Sequence, residues 1–359
     1  MKKVLIAITS LHGGGAERVV SVWTRQLFEK GYDVSVLVLS RQENEYPICE
    51  GVNVYTVAQN PEQYLKLSFF ERFKKMRSFV KNINPDVLIN FLPTMQIWML
   101  AVCFGLGIKR IETVRNNPDR EASGLKQKIW KFCLFSSKKV ILQTKEQGEF
   151  FGKVIQNKCV VIPNPICKQY CENCKQFYNE KNTEFIAVGR LASQKNYPLM
   201  INAFKLSVEK CSDIKLSIFG SNSSSKLQEL INELNMQNNI FLMGRSENVS
   251  QELLKRDAFI MSSDYEGMPN ALAEAMATGL VCISTDCRTG PKDLIDDGIN
   301  GFLVQTGNTE EMANAILKVI EMPKEESERI GKSAREKILH FCSEENSFNR
   351  LVELIEDNN

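Results

Sequence analysis

The chain has 359 residues and a formal net charge of +2 at pH 7, with 43% hydrophobic and 25% charged residues. This length fits two domains of ordinary size, and the composition is that of a soluble globular protein. No apolar run reaches the roughly 18 residues of a membrane-spanning helix. Eleven scattered cysteines indicate a reducing cytoplasm rather than a disulfide scaffold.

The first 160 residues predict alternating strands and helices. An amphipathic stretch at residues 16–30 predicts a helix, and short apolar runs on either side of it predict strands. The predicted strands are residues 4–9, 33–40, 86–91, 110–113 and 139–143. Runs that are apolar on both faces are typical of buried parallel sheets.

The same pattern starts again near residue 184. The predicted strands are residues 184–189, 215–220, 240–243, 258–262 and 281–285, and the predicted helices are residues 198–209, 225–234, 249–255, 271–278, 309–321, 324–340 and 344–356. We therefore predict an α/β protein with two Rossmann-like, doubly wound parallel sheets. The predicted domains are residues 1–163 and 184–342, joined by a polar linker at 164–183, with a last helix near 343–359 packing back on the first domain.

The loop between the first strand and the first helix is rich in glycine. Gly13, Gly14 and Gly15 allow a phosphate or a sugar to approach the backbone closely. The spacing is neither GxGxxG nor GxxxxGK[ST], so it gives little support to a dinucleotide or ATP site. A plain tight turn is the alternative interpretation.

Two cations follow the first strand of the second half. Arg190 and Lys195 lie on a loop after the carboxyl end of that strand, where open α/β sheets bind ligands. Paired cations suit a diphosphate, which gains negative charge as it leaves. Two solvated loop cations are the alternative.

Two glutamates follow the predicted strand at residues 258–262. Glu266 lies on a Gly/Pro loop and Glu274 within the next helix, whose exposed N-terminus suits an anion. Carboxylates instead suit hydroxyls, so the segment predicts a nucleotide sugar. Eight helical residues span about 12 Å, whereas the carboxylates of a glycosidase lie roughly 5–9.5 Å apart. Two hydroxyl-binding groups are therefore favoured over an acid–base pair.

These motifs together resemble glycosyltransferase family 4, whose members are retaining enzymes with two Rossmann-like domains facing a cleft, the GT-B fold. The resemblance covers most of the chain and is strongest between residues 185 and 304. Its motifs are the turn Gly14-Gly15-Ala16-Glu17, the Gly-Arg-x4-Lys loop at 189–195, Pro163-Asn164-Pro165, the Glu-x7-Glu segment at 266–274, and Asp297-Gly298-x-Asn300-Gly301.

The resemblance implies a role for each matching residue. Gly14 and Gly15 would approach the donor diphosphate or the acceptor. Arg190 and Lys195 would hold the diphosphate, and Glu266 would bind the transferred sugar. Glu274 would accept hydrogen bonds from the ribose. The remaining donor-binding residues implied are Gly244 and Arg245 near the base, and Gly267, Met268, Pro269 and Asn270 near the sugar.

The chain departs from the family at two positions. Many members have a histidine near the reacting carbon, but the matching segment here has none, and Arg115 or Asn116 would take that position. Asp293 stands where the family usually has Glu, and its role is left open. With no Asp-x-Asp motif, no second CxxC beside Cys171 and Cys174, and two histidines in all, we expect neither a metal nor another cofactor.

The excess of positive charge lies in the first 160 residues, which carry a net +10. Residues 67–81 and 125–132 combine helical apolar spacing with many Lys and Arg, so they fit either a surface helix on the sheet or a helix on an anionic membrane. No nucleic-acid motif accompanies the charge.

We therefore expect a cytoplasmic glycosyltransferase at the inner face of the membrane, using a UDP-sugar as donor and a saccharide or lipid-linked saccharide as acceptor, in cell-surface polysaccharide synthesis. Nucleic acid is not an expected partner. A sugar-nucleotide epimerase of the same architecture and a non-catalytic nucleotide-sugar-binding protein are the alternatives.

Overall fold

The computed structural model describes residues 2–221 and 225–357. The chain divides into two compact units. The first unit comprises Met1–Asn164 with Ser347–Asn359, and the second comprises Pro165–Asn346.

The first unit is built on a seven-stranded parallel sheet. Its strands are β1 (Lys3–Ile8), β2 (Asp33–Ser40), β3 (Asn53–Ala58), β4 (Val87–Asn90), β5 (Lys109–Thr113), β6 (Lys139–Leu142) and β7 (Cys159–Val161). Their order is β3-β2-β1-β4-β5-β6-β7. The direction of winding reverses between β1 and β4, so the loops after these two strands flank the crevice where doubly wound sheets bind ligands.

The second unit is built on a six-stranded parallel sheet. Its strands are β8 (Glu184–Val188), β9 (Lys215–Phe219), β10 (Ile240–Gly244), β11 (Ala258–Met261), β12 (Val281–Thr285) and β13 (Phe302–Val304). Their order is β10-β9-β8-β11-β12-β13, which reverses between β8 and β11. The two sheets confirm the predicted fold class.

Helices follow most of the strands. In the first unit they are α1 (Gly15–Glu29), α2 (Pro61–Lys66), α3 (Phe69–Ile83), α4 (Pro93–Val102), α5 (Pro118–Glu121), α6 (Gly124–Ser136) and α7 (Lys153–Gln156). The later helices are α8 (Lys168–Glu172), α9 (Tyr197–Val208), α10 (Ser225–Glu233), α11 (Val249–Leu254), α12 (Asn270–Ala277), α13 (Pro291–Leu294), α14 (Thr309–Ile320), α15 (Lys324–Phe341) and α16 (Glu344–Glu356). Within the described residues, no helix combines the length and the hydropathy needed to cross a bilayer.

The core of the first unit uses both ends of the chain. Trp23 of α1 is fully buried against β1 and β4, and Leu351 and Ile355 of α16 join the same cluster. The last carbonyls of α16 are bonded by lysines: Lys109 Nζ donates to Leu354 O at 2.7 Å, as cations favour at a helix C-terminus.

The segment predicted as a linker is part of the second unit. Ile166 and Tyr170 are buried with Leu272 and Met276, and the backbone N–H of Ile166 donates to Cys342 O at 3.0 Å. The polar, cysteine- and asparagine-rich composition predicted a linker, but the few large apolar residues in the segment pack it on the second unit.

Candidate functional site

Two loops of the second unit meet at the reversal point of its sheet. The loop at 189–196 follows β8, and the loop at 262–269 follows β11. The backbone N–H of Asp264 donates to Gln194 O at 2.9 Å, and Ser262 Oγ donates to Lys195 O at 2.8 Å. Asn196 Nδ2 adds a bond of 2.8 Å to Asp264 Oδ1. The two loops therefore form one cross-linked surface, although almost 70 residues separate them in sequence.

An ion pair lies at the centre of this surface. Lys195 Nζ is 2.6 Å from Glu266 Oε1, and Gln194 Nε2 donates to the carbonyl of Tyr265 at 2.8 Å. The Glu266 side chain is only 8% exposed and that of Lys195 17%. An unpaired charge at this depth would be strongly disfavoured, so each side chain offsets part of the cost of burying the other.

Near this pair, glycines allow the backbone after β8 and the backbone after β9 to approach each other closely. A Cβ on Gly220 would lie 2.1 Å from the carbonyl oxygen of Gly189, so no other residue fits there without a shift of the backbone. Tyr197 donates its hydroxyl to the same carbonyl at 3.0 Å. Burial and the negative charge of Glu266 together raise the pKa of Tyr197, so this hydroxyl remains a donor. Arg190 is exposed on the same loop.

Helix α12 begins where the Glu266 loop ends. Pro269 is its N-cap and provides no side-chain hydrogen bond to the first turn. The first backbone N–H groups of a helix have no partner within it, so such an end attracts an anion. Gly267, Met268 and Pro269 are buried and Asn270 is half-buried, while Glu274 is 6% exposed one turn further on.

The segment at residues 285–290, from the end of β12 into the next loop, lies on the other side of the Glu266 loop. Thr289 donates its hydroxyl to the backbone carbonyl of Glu266, and Thr285 donates to Ser263 O at 2.6 Å. The sequence analysis did not select either threonine. The only signal was the Gly290-Pro291 dipeptide, which is typical of a turn but does not show what the turn contacts.

The edge of the second sheet carries the residues implied to lie near the base. Gly244 ends β10 with a φ of 71°, and its carbonyl accepts the N–H of Gly220 at 2.8 Å. Gly244 and Arg245 are both exposed. Gly220 thus connects this edge to the loop of Gly189.

The glycine loop of the first unit is open at Gly13, but at Gly14 a Cβ would lie 2.0 Å from Glu17 Oε2. Gly14 is the N-cap of α1 in extended conformation and makes no side-chain cap. Gly13 has a φ of 70°, and a Cβ there would meet no atom within 4 Å. Gly14 and Gly15 are half-buried. The loop follows β1 and therefore lies at the reversal point of the first sheet.

Arg115 and Asn116 follow β5 in different environments. The Arg115 guanidinium carbon lies 4.8 Å from the ring centroid of Trp23 and 4.6 Å from that of Phe91, a double cation–π contact. Its Nη1 donates to Asn164 Oδ1 at 3.0 Å, and burial lowers its pKa despite the nearby Glu121. Asn116 is half-buried, and its N–H donates to Glu121 at 2.7 Å.

The structure thus brings Lys195, Glu266 and the N-terminus of α12 together in the second unit. Arg115, Asn116 and the glycine loop belong to the first unit. Among residues 2–221 and 225–357, His, Cys, Asp and Glu do not gather in a group of three or more that could hold a metal ion.

Two family models match the chain. The model for Glycosyltransferase Family 4 matches residues 13–169, and the model for Glycosyl transferases group 1 matches residues 173–337. The second match contains the whole of the Lys195–Glu266 surface.

Curated relatives are glycosyltransferases. An uncharacterized glycosyltransferase of Methanocaldococcus jannaschii is 32% identical over 259 residues, which is 64% of this chain and 63% of the relative. The N-acetylgalactosamine-N,N'-diacetylbacillosaminyl-diphospho-undecaprenol 4-alpha-N-acetylgalactosaminyltransferase of Campylobacter jejuni is 28% identical over 342 residues, covering 89% of this chain and 91% of the relative.

Solved structures share the fold at low identity. A crystal structure of a Staphylococcus aureus TarM mutant in complex with UDP and alpha-GlcNAc-glycerol superposes with a TM-score of 0.81 and 15% identity. The match covers 99% of this chain and 100% of that one.

Proposed function

The chain belongs to glycosyltransferase family 4, with the GT-B fold, and we propose that it transfers a hexose or N-acetylhexosamine from a UDP-sugar to a saccharide hydroxyl with retention of configuration. The observation that carries this proposal is the buried Lys195–Glu266 pair beside the N-terminus of α12. It combines a carboxylate for sugar hydroxyls with a cation and helix N–H groups for phosphate.

The proposed reaction breaks the bond between the anomeric carbon of the sugar and the diphosphate oxygen that carries it. The nucleotide diphosphate leaves with the electron pair, and the acceptor oxygen bonds to the anomeric carbon while its proton passes to a departing phosphate oxygen. Lys195, Arg190 and the first N–H groups of α12 stabilise the growing negative charge. This role needs no metal ion.

Glu266 and Glu274 divide the hydroxyls of the donor. Glu266 accepts hydrogen bonds from the transferred sugar next to the Gly267–Asn270 backbone, and Glu274 accepts them from the ribose. Gly244 and Arg245 lie near the base. When the diphosphate binds, Lys195 is shared between Glu266 and the phosphate.

The first unit provides the acceptor side in this proposal. Gly14 and Gly15 approach the donor diphosphate or the acceptor, and Asn116 offers a half-exposed amide in the position of the family histidine. Arg115 is enclosed by Trp23 and Phe91, so its proposed role is to support the loop rather than to contact the substrate.

The acceptor is proposed to be a saccharide carried on a lipid diphosphate, for a cell-surface polysaccharide. The name of the Campylobacter relative includes a diphospho-undecaprenol acceptor, and that relative covers 89% of this chain. The exposed surface of the first unit agrees with a lipid-linked acceptor. Phe69 is 60% exposed and Phe70 79% exposed at the start of α3, beside Lys66 and Lys74.

Peripheral contact with an anionic membrane is part of this proposal. The structure favours the phenylalanines of α3 over its Lys and Arg side chains as the contacting residues. Lys75 and Arg77 donate to backbone carbonyls, Lys75 Nζ to Val57 O at 3.2 Å and Arg77 Nη1 to Val102 O at 2.6 Å. They therefore hold α3 on the unit, so the exposed phenylalanines are the better candidates for entering the bilayer.

The proposal is tested by incubating the purified chain with a panel of nucleotide sugars and measuring slow donor hydrolysis and transfer to lipid-diphosphate saccharides. UDP release from one donor, lost in Glu266→Gln and accompanied by a product of unchanged anomeric configuration by NMR, is expected. Epimerised nucleotide sugar without transfer, or equal turnover in Glu266→Gln, would overturn it.

A further inference from the structure

The loop that carries Glu266 is held from two sides. On one side the 193–196 segment provides the Lys195 and Gln194 side chains. On the other side the 285–290 segment provides hydroxyls and a glycine. The first set of contacts reaches the carboxylate and the adjoining backbone, whereas the second reaches only the backbone.

Thr289 makes the contact nearest to Glu266. Its side chain is fully buried, and its hydroxyl donates to the carbonyl of Glu266 itself. This carbonyl lies at the start of the turn toward α12, so its direction fixes where the next peptide N–H groups point. Thr285 donates a similar hydrogen bond to Ser263 O at 2.6 Å, and Ser263 precedes Glu266 by three residues.

Gly290 then leaves no space between the two loops. A Cβ there would lie 2.7 Å from Gly267 O and 2.6 Å from Pro269 Cδ, and the φ of Gly290 is 97°. The backbone of the 285–290 segment therefore rests directly on the backbone of the Glu266 loop. Movement of Gly267 toward this segment is blocked, and movement away from it would break the Thr289 hydrogen bond.

We propose that Thr289 is a positioning residue for Glu266. The proposal rests on the proposed function of Glu266 as the group that binds the transferred sugar. The Thr289 hydroxyl fixes the position and direction of the Glu266 carbonyl, and Lys195 fixes the position of the carboxylate. Both ends of the residue are therefore held before the donor binds. Because turnover is sensitive to displacements of about 1 Å, a loose Glu266 loop would lower turnover more than nucleotide affinity.

The test compares Thr289→Val, which keeps the shape and removes the hydroxyl, with Thr289→Ser, which keeps the hydroxyl. For Thr289→Val we expect kcat to fall about 10- to 100-fold, with the Kd for UDP unchanged by calorimetry. For Thr289→Ser we expect kcat within a few-fold of the unaltered chain.

Thr278→Val is the matched control. Thr278 is also fully buried, and its hydroxyl donates to a backbone carbonyl, that of Ala275, at 2.8 Å, but it lies at the end of α12. Both Val variants should lose similar amounts of Tm, and only Thr289→Val should lose kcat. If Thr289→Val has the same kcat as Thr289→Ser and Thr278→Val while Glu266→Gln is inactive, the positioning role is refuted and the proposed function stands. If Glu266→Gln is fully active, the proposed function itself fails.

Discussion

The two units wind their sheets in the same order around the central strands, but the loops at the reversal points differ. In the second unit, side chains cross-link the loops after β8 and β11, and the charged pair at the centre is nearly enclosed. In the first unit, the corresponding loop after β1 is three glycines with open space around Gly13. Contacts between side chains therefore fix the loop geometry in the second unit, and fewer such contacts surround Gly13 in the first.

The two units also differ in how many large apolar side chains they expose. Large apolar side chains that are exposed lie mostly in the first unit, on α3 and α6 among other elements. In the second unit, comparable exposure is found at isolated positions such as Phe177. The contrast agrees with a donor site in the second unit and an acceptor and membrane side in the first.

Removing the central cation should have the largest effect. Lys195→Met deletes the partner of a buried carboxylate and a stabiliser of the leaving diphosphate, so we expect kcat/KM to fall about 1000-fold. The measurement is UDP release at varied donor concentration. Lys205→Met is the control, because Lys205 forms an exposed pair with Glu209 on α9. Equal rates for both variants would contradict a pre-formed charged site.

Adding a methyl group between the 285–290 segment and the Glu266 loop should have the next largest effect. Gly290→Ala places a Cβ against Gly267 O and Pro269, so the Glu266 loop must shift, and we expect about a 100-fold loss of kcat. Gly298→Ala is the control, because its φ is also positive, at 74°, while its Cβ would meet no atom within 4 Å. That variant should lose some stability but keep its turnover. Full activity of Gly290→Ala would show that the loop contact is not needed.

Changing the apolar surface of the first unit should have a moderate effect. Replacing Phe69 and Phe70 together by Ser removes two exposed rings, and we expect sedimentation with phosphatidylglycerol vesicles to weaken at least about 10-fold. Phe177→Ser, which alters a side chain 86% exposed in the second unit, should leave binding unchanged. Equal loss in both variants, or none in the double variant, would remove the distinction between the two surfaces.

A buried carboxyl in the first unit should have the smallest effect on activity and should act on stability instead. Burial raises the pKa of Glu112 to about 8, although Arg110 lies 3.3 Å away. Between the ordinary value near 4.3 and 8, the unfolded chain releases a proton that the folded unit keeps, so the free energy of unfolding falls as pH rises. The slope is at most about 1.4 kcal/mol per pH unit. Glu112→Gln should reduce the difference between pH 5 and pH 8 in urea unfolding, and an unchanged difference would contradict a neutral Glu112.

The sequence was sufficient for the architecture because apolar runs of strand length are a local signal. It missed β3, whose residues from Val54 to Val57 are largely half-buried, and the three-residue strands β7 and β13. Short or partly exposed strands carry too little periodicity to be recognised.

The site was predicted as a set of residues but not as a geometry. The roles predicted for Lys195 and Glu266 came from their residue types on loops after strands and from a family resemblance. Their 2.6 Å ion pair depends on β8 and β11 being neighbours. The Thr289 contact gave no signal in the sequence, because a hydroxyl that bonds a distant carbonyl looks like any other loop threonine. The sequence left residues 67–81 as either a surface helix or a membrane-bound helix, and it gave no sign that Lys75 and Arg77 donate to backbone carbonyls.

The position of α16 has a consequence for the order in which the protein is completed during synthesis. Leu351 and Ile355 belong to the same core as Val4 and Trp23, which the ribosome makes first. Part of the hydrophobic core of the first unit therefore stays uncovered while the whole of the second unit is translated. The unit encoded first is finished last, and exposure to chaperones and proteases during that interval should fall mainly on its open face.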